Sequence, residues 1–492
     1  MMRPASSPLA RLSRALFAAL GLLALAFAAP GLATTGAAPS ALAAPADALA
    51  RPAAAEAGTL VVLTTADVLG KSSPCGCHTP KGGLARRAAF ADSVRAEHRH
   101  VLVLDGGGFF PVENDFEDAA AFMLDAMKSL GVAAAGLGES DLRYGRGFLL
   151  AQLARTRVPV TCANVLDRAS GRPLVAPWVL REAGRARVGC FGLLSDKADL
   201  GPSRDSLRVT DPLVAAERTV AELRAKGATV IVCFAQLGKV EAEEVANVIP
   251  GIDLVVPGRR MPTFEVGRRI KNALVLYGGE QSHYMGWASF ALDAAGRVAS
   301  SDGGTRMLGP DVREQPAMFA AVKTFEDGFN DRLKVLEKQR ALQSAVGEDG
   351  FDEDEPRDHY VGAEVCARCH RAEYEQWKTT PHARAWATLV EKHADGRPDC
   401  VKCHVVGFRE PGGWQSEADT PRLANVQCEM CHGLGTRHDA TAPAAPVAEV
   451  MCRRCHDETS SPAFQFSVYQ PHIVHRPAAN LPPLPRKPAA MH

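Results

Sequence analysis

The chain has 492 residues, long enough for two or three domains, and its 56 lysines and arginines balance its 56 aspartates and glutamates. With a formal net charge of zero, it has no global electrostatic attraction to nucleic acid or to an anionic membrane surface. A hydrophobic content of 46% is ordinary for a globular protein, although an alanine-rich start inflates it.

The chain opens with Arg3, Arg11 and Arg14 ahead of an apolar stretch from about Ala15 to Ala29, followed by small residues. That order resembles a Sec signal peptide, and residues 1–44 read as signal peptide and disordered leader. A retained membrane anchor is the competing reading. No later stretch reaches the roughly twenty apolar residues of a spanning helix, so no span is expected in the mature chain. A periplasmic or otherwise exported location is expected.

From residue 58 to residue 310, short apolar runs alternate with helical stretches. TLVVLTT (59–65), HVLVLDGG (100–107), VPVTCANV (158–165), ARVGCFGLL (186–194), TVIVCFAQLG (229–238), IDLVVPG (252–258) and ALVLYGG (273–279) read as buried strands. LARRAAFADSVRAEH (84–98) and PLVAAERTVAELRAKG (212–227) read as helices between them. The alternation predicts an α/β layered domain, with function at the carboxyl ends of its strands. Residues 311–358 hold a long amphipathic helix (316–342) and then an acidic linker, GEDGFDEDEPRD. Residues 359–478 form a cysteine- and histidine-rich block, and 479–492 a proline-rich tail.

That block holds the pattern CxxCH four times: Cys366, Cys369 and His370; Cys400, Cys403 and His404; Cys428, Cys431 and His432; Cys452, Cys455 and His456. Two thiols at this spacing reach the two vinyl groups of one haem, and the adjacent histidine falls beneath the iron as proximal ligand. Zinc sites built on CxxC do not require a histidine after every second cysteine. Four covalently bound haem c groups are therefore expected. So many porphyrins in about 120 residues would themselves form the core, leaving a small, mostly helical or irregular domain with haems close enough for electron transfer. Five cysteines lie outside the motifs: Cys75, Cys77, Cys162, Cys190 and Cys233. The last three sit within apolar runs and read as core residues.

YVGAEVCARCHRAEYEQWKTTPHARAWATL and VKCHVVGFREPGGW...LANVQCEMCHGLGTRHD resemble the tetrahaem cytochrome c-554-type family of electron carriers. The resemblance implies that His382 and His438 are distal iron ligands, and that His475 matches a late family histidine in the same role. His393, His472 and His359 are the further candidates. Family haems are mostly bis-histidine, with one sometimes five-coordinate. Periplasmic or membrane redox proteins are the implied partners, and nucleic acid is not.

The segments TTADVLG, GGLARRA, VLDGGGFF, GLGESDLRYG, PGIDLVVPGRRM and LVLYGGEQSHYMGW are similar, in order, to the 5'-nucleotidase branch of the metallophosphatases. That family holds two metals about 3.5–4 Å apart at strand ends. Asp67 is the surviving ancestral ligand position. Elsewhere Leu69, Gly106 or Gly107, the run Glu139, Ser140 and Asp141, then Gln236, and the run Gly258, Arg259, Arg260 and Met261 stand at motif positions. Leucine, glycine and methionine cannot replace hard oxygen or imidazole ligands, and an arginine repels a cation. Glu139 and Asp141 are read as solvated loop carboxylates.

SSPCGCHTPKGG follows the first strand, near the ancestral catalytic face. Cys75, Cys77 and His78 are open to three readings: an additional soft-metal site, a redox thiol pair, or a structural disulfide. The sequence thus predicts an exported tetrahaem electron carrier whose α/β domain is a degenerate docking or binding platform. A redox enzyme with an open haem, acting on a small nitrogen or sulfur compound, and an active metal-dependent phosphoesterase are the alternatives.

Overall fold

The computed structural model describes residues 58–75, 80–259, 261–264, 266–278, 281–346, 359–437, 447–457 and 460–475. The leader, the proline-rich tail, the acidic linker, and Cys77, His78, Arg260 and His438 lie outside the described residues.

Two six-stranded sheets form the α/β domain. Fourteen strands are β1 (Thr59–Thr65), β2 (Val101–Asp105), β3 (Val132–Gly136), β4 (Val160–Thr161), β5 (Val165–Asp167), β6 (Trp178–Ala183), β7 (Ala186–Leu194), β8 (Leu207–Val209), β9 (Val230–Gln236), β10 (Leu254–Pro257), β11 (Arg268–Ile270), β12 (Ala273–Val275), β13 (Tyr284–Leu292) and β14 (Val298–Met307). One sheet runs β14-β13-β1-β2-β3-β4 and the other β11-β12-β10-β9-β7-β6, while β5 and β8 pair alone. Strands β1 to β4 pair in parallel, as do β7, β9 and β10. Parallel strands covered on both faces carry unbroken apolar runs, and all seven residues of β9 are buried.

The two sheets share one core. Leu60, Val62 and Leu104 from the first meet Val188, Val232, Phe234 and Val256 from the second. The outer face of the second sheet is covered by α4 (Pro212–Ala225) and α5 (Lys239–Val248), through Ala216, Leu223, Ala242 and Val245. Asp211 starts α4 because its carboxylate accepts the N–H groups of Leu213 and Val214, with Pro212 at the first helical position. The stretch 158–165 reads as one strand but divides into β4 and β5. The Asn164 side chain between them bonds the Leu194 N–H and C=O, taking the place of a ladder partner.

The long helix α6 (Pro316–Val346) joins the two parts of the molecule. On one side it meets α2 (Glu117–Leu130), stacking Phe325 on Phe122 with ring centroids 4.1 Å apart. Phe329 meets Phe116 edge to face at 4.9 Å, and each such pair adds about 0.5–1.5 kcal/mol beyond its buried area. On the other side α6 holds the cysteine-rich segment. Asn330 bonds Asp395 and the Gly396 N–H, Lys334 pairs with Asp395 at 2.7 Å, and Glu326 pairs with Arg397 at 2.9 Å.

Regular structure is sparse in that segment, whose longest described helix is α8 (Arg371–Lys378), between α7 (Ala363–Cys366) and α9 (Ala385–Glu391). Its apolar core is small, built on Trp386, Leu389, Val401, Val405, Trp414 and Leu423.

Candidate haem site and candidate metal face

Each CxxCH motif occupies a short helical turn. The N–H groups of His370, His432 and His456 donate to the carbonyls of Cys366, Cys428 and Cys452, at 2.8–2.9 Å. In the second motif the His404 N–H donates to Val401 O at 2.8 Å. A helical turn places residues three apart on one face, so both thiols of a motif point the same way.

Tertiary folding then gathers the motifs. The thiols of Cys366 and Cys428 lie close enough to influence each other, as do those of Cys403 and Cys455, and Cys431 lies in the field of Cys452. The first motif therefore neighbours the third, and the fourth neighbours both the second and the third.

Imidazoles face one another across this cluster. His382 and His456 have ring centroids 6.3 Å apart, and His432 and His475 have theirs 6.1 Å apart. A ring nitrogen lies about 1.1 Å from its centroid and a metal–imidazole bond is about 2.0 Å, so two ligands opposed across one metal stand about 6.2 Å apart. Both separations match that spacing, and the residues fit an iron held between two histidines. Two ring nitrogens of the segment are occupied in the way ligands require. His475 Nδ1 lies 3.3 Å from Gln376 Oε1, and His404 Nδ1 lies 2.6 Å from the Ala385 carbonyl. Burial, then the neighbouring His456 and His404, push the His382 ring down to about 4 and keep it neutral. His393 is exposed at the end of α9 and faces Asp327 of α6. His359 is exposed, with its backbone on Thr436, and His472 is half-buried on a short turn.

The carboxyl ends of β1, β2, β3, β9 and β10 meet at a second face. Asp67, just past β1, is buried, and its Oδ1 accepts from Gln236 Nε2 at 3.0 Å while its Oδ2 accepts from the Arg259 N–H at 2.7 Å. Gln236 Nε2 also donates to Gly106 O at 3.2 Å, and the Arg259 guanidinium pairs with Glu139 at 3.2 Å. Among the described residues, no three His, Cys, Asp or Glu side chains converge as a metal would require.

Asp141 corrects the reading of a solvated loop. It is fully buried, and its carboxylate accepts the backbone N–H groups of Gly108, Phe109, Phe110 and Gly138 at 2.7–2.9 Å. Burial pushes the carboxyl up to about 7, against the pull of those donors. Its work is to tie the loop after β2 to the loop after β3. Glu139 is half-buried and ion-paired, still partly open to solvent.

Cys75 is half-buried, held by paired backbone hydrogen bonds with Lys81, and its Sγ lies 2.9 Å from His283 Nε2. Sequence reasoning missed His283 because about two hundred residues separate it from Cys75 and no spacing rule connects them. Cys162, Cys190 and Cys233 are wholly buried, and burial raises all three thiols, the first two to about 11 and about 12.

Residues 365–433 match the family described as cytochrome c554 and c-prime. Over 91 residues the chain is 38% identical to cytochrome c-554 of Nitrosomonas europaea, covering 15% of this chain and 39% of that protein. Over 297 residues it is 24% identical to snake venom 5'-nucleotidase of Naja atra, covering 54% of this chain and 56% of the relative. The chain thus spans about half or less of the length of these relatives. The solved sulfate thiohydrolase SoxB of Thermus thermophilus shares the α/β fold, with a TM-score of 0.50 at 16% identity over 55% of this chain and 60% of that one. No helix among the described residues is long and apolar enough to cross a membrane. The carboxyl-terminal segment thus carries a match to the cytochrome c554 and c-prime family model, and the amino-terminal region matches the 5'-nucleotidase-like metallophosphatases.

Proposed function

We propose that this chain is an exported cytochrome carrying four covalent haem c groups, which relays electrons between periplasmic or membrane redox proteins. The observation that carries the reading is the gathering of four CxxCH turns, with two pairs of imidazoles at iron-spanning separation. Bound haem supplies reversible one-electron chemistry. The two thiols of each motif would hold one ring and the histidines would ligate its iron, with Gln376 orienting His475 and the Ala385 carbonyl orienting His404.

The α/β domain is a docking or binding platform without dinuclear metal chemistry. The support is the pairing of Asp67 with Gln236 and with the backbone of Arg259, which turns the remaining ligand into a structural acceptor.

Haem stoichiometry by pyridine haemochrome assay and electron paramagnetic resonance of the oxidised protein test the reading together. Four haems per chain in low-spin form support an electron relay. A high-spin signal that shifts with added small ligands would instead favour a redox enzyme with an open iron. Fewer than four haems would defeat the tetrahaem assignment.

A further inference from the structure

The pair formed by Cys75 and His283 belongs neither to the haem cluster nor to the metal face. Three features of its setting point to chemistry. The first is the separation itself. A tetrahedral metal holding a thiolate at about 2.3 Å and an imidazole at about 2.0 Å keeps the two donors about 3.5 Å apart. The observed 2.9 Å is closer than that, within reach for the sulfur and the nitrogen to share a proton directly.

The second feature is the turn that delivers His283. Gln281 and Ser282 both have left-handed backbones, with φ of 58° and 64°. Neither is glycine, so the turn costs strain that the surroundings must hold. Ser282 is 2% exposed, and its hydroxyl has no hydrogen-bond partner among the described residues, a further cost of about 1–3 kcal/mol. The Gln281 N–H donates to Asp67 O at 2.8 Å, and the Gln281 side-chain oxygen lies 3.6 Å from the Cys75 sulfur. Two unfavourable residues in a row thus place one imidazole and one amide against one thiol.

The third feature is charge. Burial, then the charges of Lys81 and Lys71, lower the affinity of His283 for a proton and keep its ring a neutral acceptor beside the thiol. Arg397 lies in the fields of Cys400 and Cys75; burial lowers its affinity for a proton, but Glu326 and then Asp399 outweigh that and hold it cationic. Cationic neighbours favour a thiolate and attract anions. The thiols of Cys162, Cys190 and Cys233 are closed to any such reagent by complete burial, although Cys190 also lies in the field of a cation, Arg181.

We propose that Cys75 and His283 form a nucleophilic thiol–imidazole pair that takes a small anionic organic disulfide. The Cys75 proton passes to His283 Nε2, and the sulfur attacks one sulfur of the disulfide. The old S–S bond breaks as a mixed disulfide with Cys75 forms, and the other half departs as a thiolate. Electrons balance without an external oxidant or reductant.

The test uses the full haem-loaded chain and oxidised glutathione as probe, with adducts mapped by tandem mass spectrometry. A single adduct on Cys75 is expected, absent in Cys75→Ser. In His283→Ala its rate should fall about tenfold or more, and added imidazole should restore part of the loss. An adduct that maps to Cys77 instead, or a rate indifferent to His283→Ala, would overturn the pair. The wild-type chain alone gives a second measurement: a neutral disulfide, hydroxyethyl disulfide, should react more slowly than oxidised glutathione after correction for their intrinsic reactivities. Equal corrected rates would overturn the anionic preference. Failure of both probes to label Cys75 would overturn the site altogether.

Discussion

His382 and His456 stand ring to ring with centroids 6.3 Å apart, although one follows α8 and the other closes the fourth motif. His456 is also stacked on Phe464 at 4.6 Å, which fixes its plane. On the proposed reading, the pairing would assign His382 to a haem anchored by Cys452 and Cys455. His382→Ala should therefore convert one haem to a high-spin or solvent-ligated form and leave the others unchanged. His475→Ala should do the same for the haem at Cys428 and Cys431, and the double variant should show both changes. Electron paramagnetic resonance reads each outcome, and an unaltered low-spin spectrum in either single variant would remove that ligand assignment.

Glu326 on α6 binds both parts of the molecule, accepting from Ser72 in the α/β domain and pairing with Arg397 in the haem segment. Removing one partner of a largely buried pair leaves the other charge uncompensated. Arg397→Ala and Glu326→Ala should each cost about 2–3 kcal/mol, below the fully buried range because both side chains keep some solvent contact. A double-mutant cycle in urea should show that the two costs are not additive. Full additivity would mean that the contact carries no coupling.

Asp141 offers both carboxylate oxygens to four backbone donors. In Asp141→Asn an amide group would oppose two N–H groups, so a loss of about 2–4 kcal/mol is expected. Glu139→Gln, at a partly exposed ion pair, should cost no more than about 1 kcal/mol. Equilibrium denaturation of both variants checks the contrast, and similar values would contradict a structural role specific to Asp141.

With Asp67 engaged by Gln236 and by the Arg259 backbone, nucleotide hydrolysis is not expected in the presence of manganese, zinc or cobalt. Phosphate release from nucleoside monophosphates, measured with each metal, should equal the protein-free control. Turnover that disappears in Asp67→Ala would restore the phosphoesterase reading.

The haem motifs were legible because covalent attachment is a local affair, complete within five residues and independent of the fold. The α/β layering was legible for a related reason: buried parallel strands such as β7 and β9 must be apolar on both faces, and that composition survives in the sequence. Asp141 was misread because a carboxylate in a polar loop looks the same whether water or four backbone N–H groups solvate it. Residue type and spacing therefore determined which groups carry the chemistry: the eight motif cysteines, their four histidines and the altered ligand positions around Asp67. Only tertiary structure decided which groups meet, pairing His382 with His456, His475 with His432 and Cys75 with His283. The physical reason is that these contacts close over long stretches of chain, where the packing of α6 and the crossing of strands, not local periodicity, set the distance.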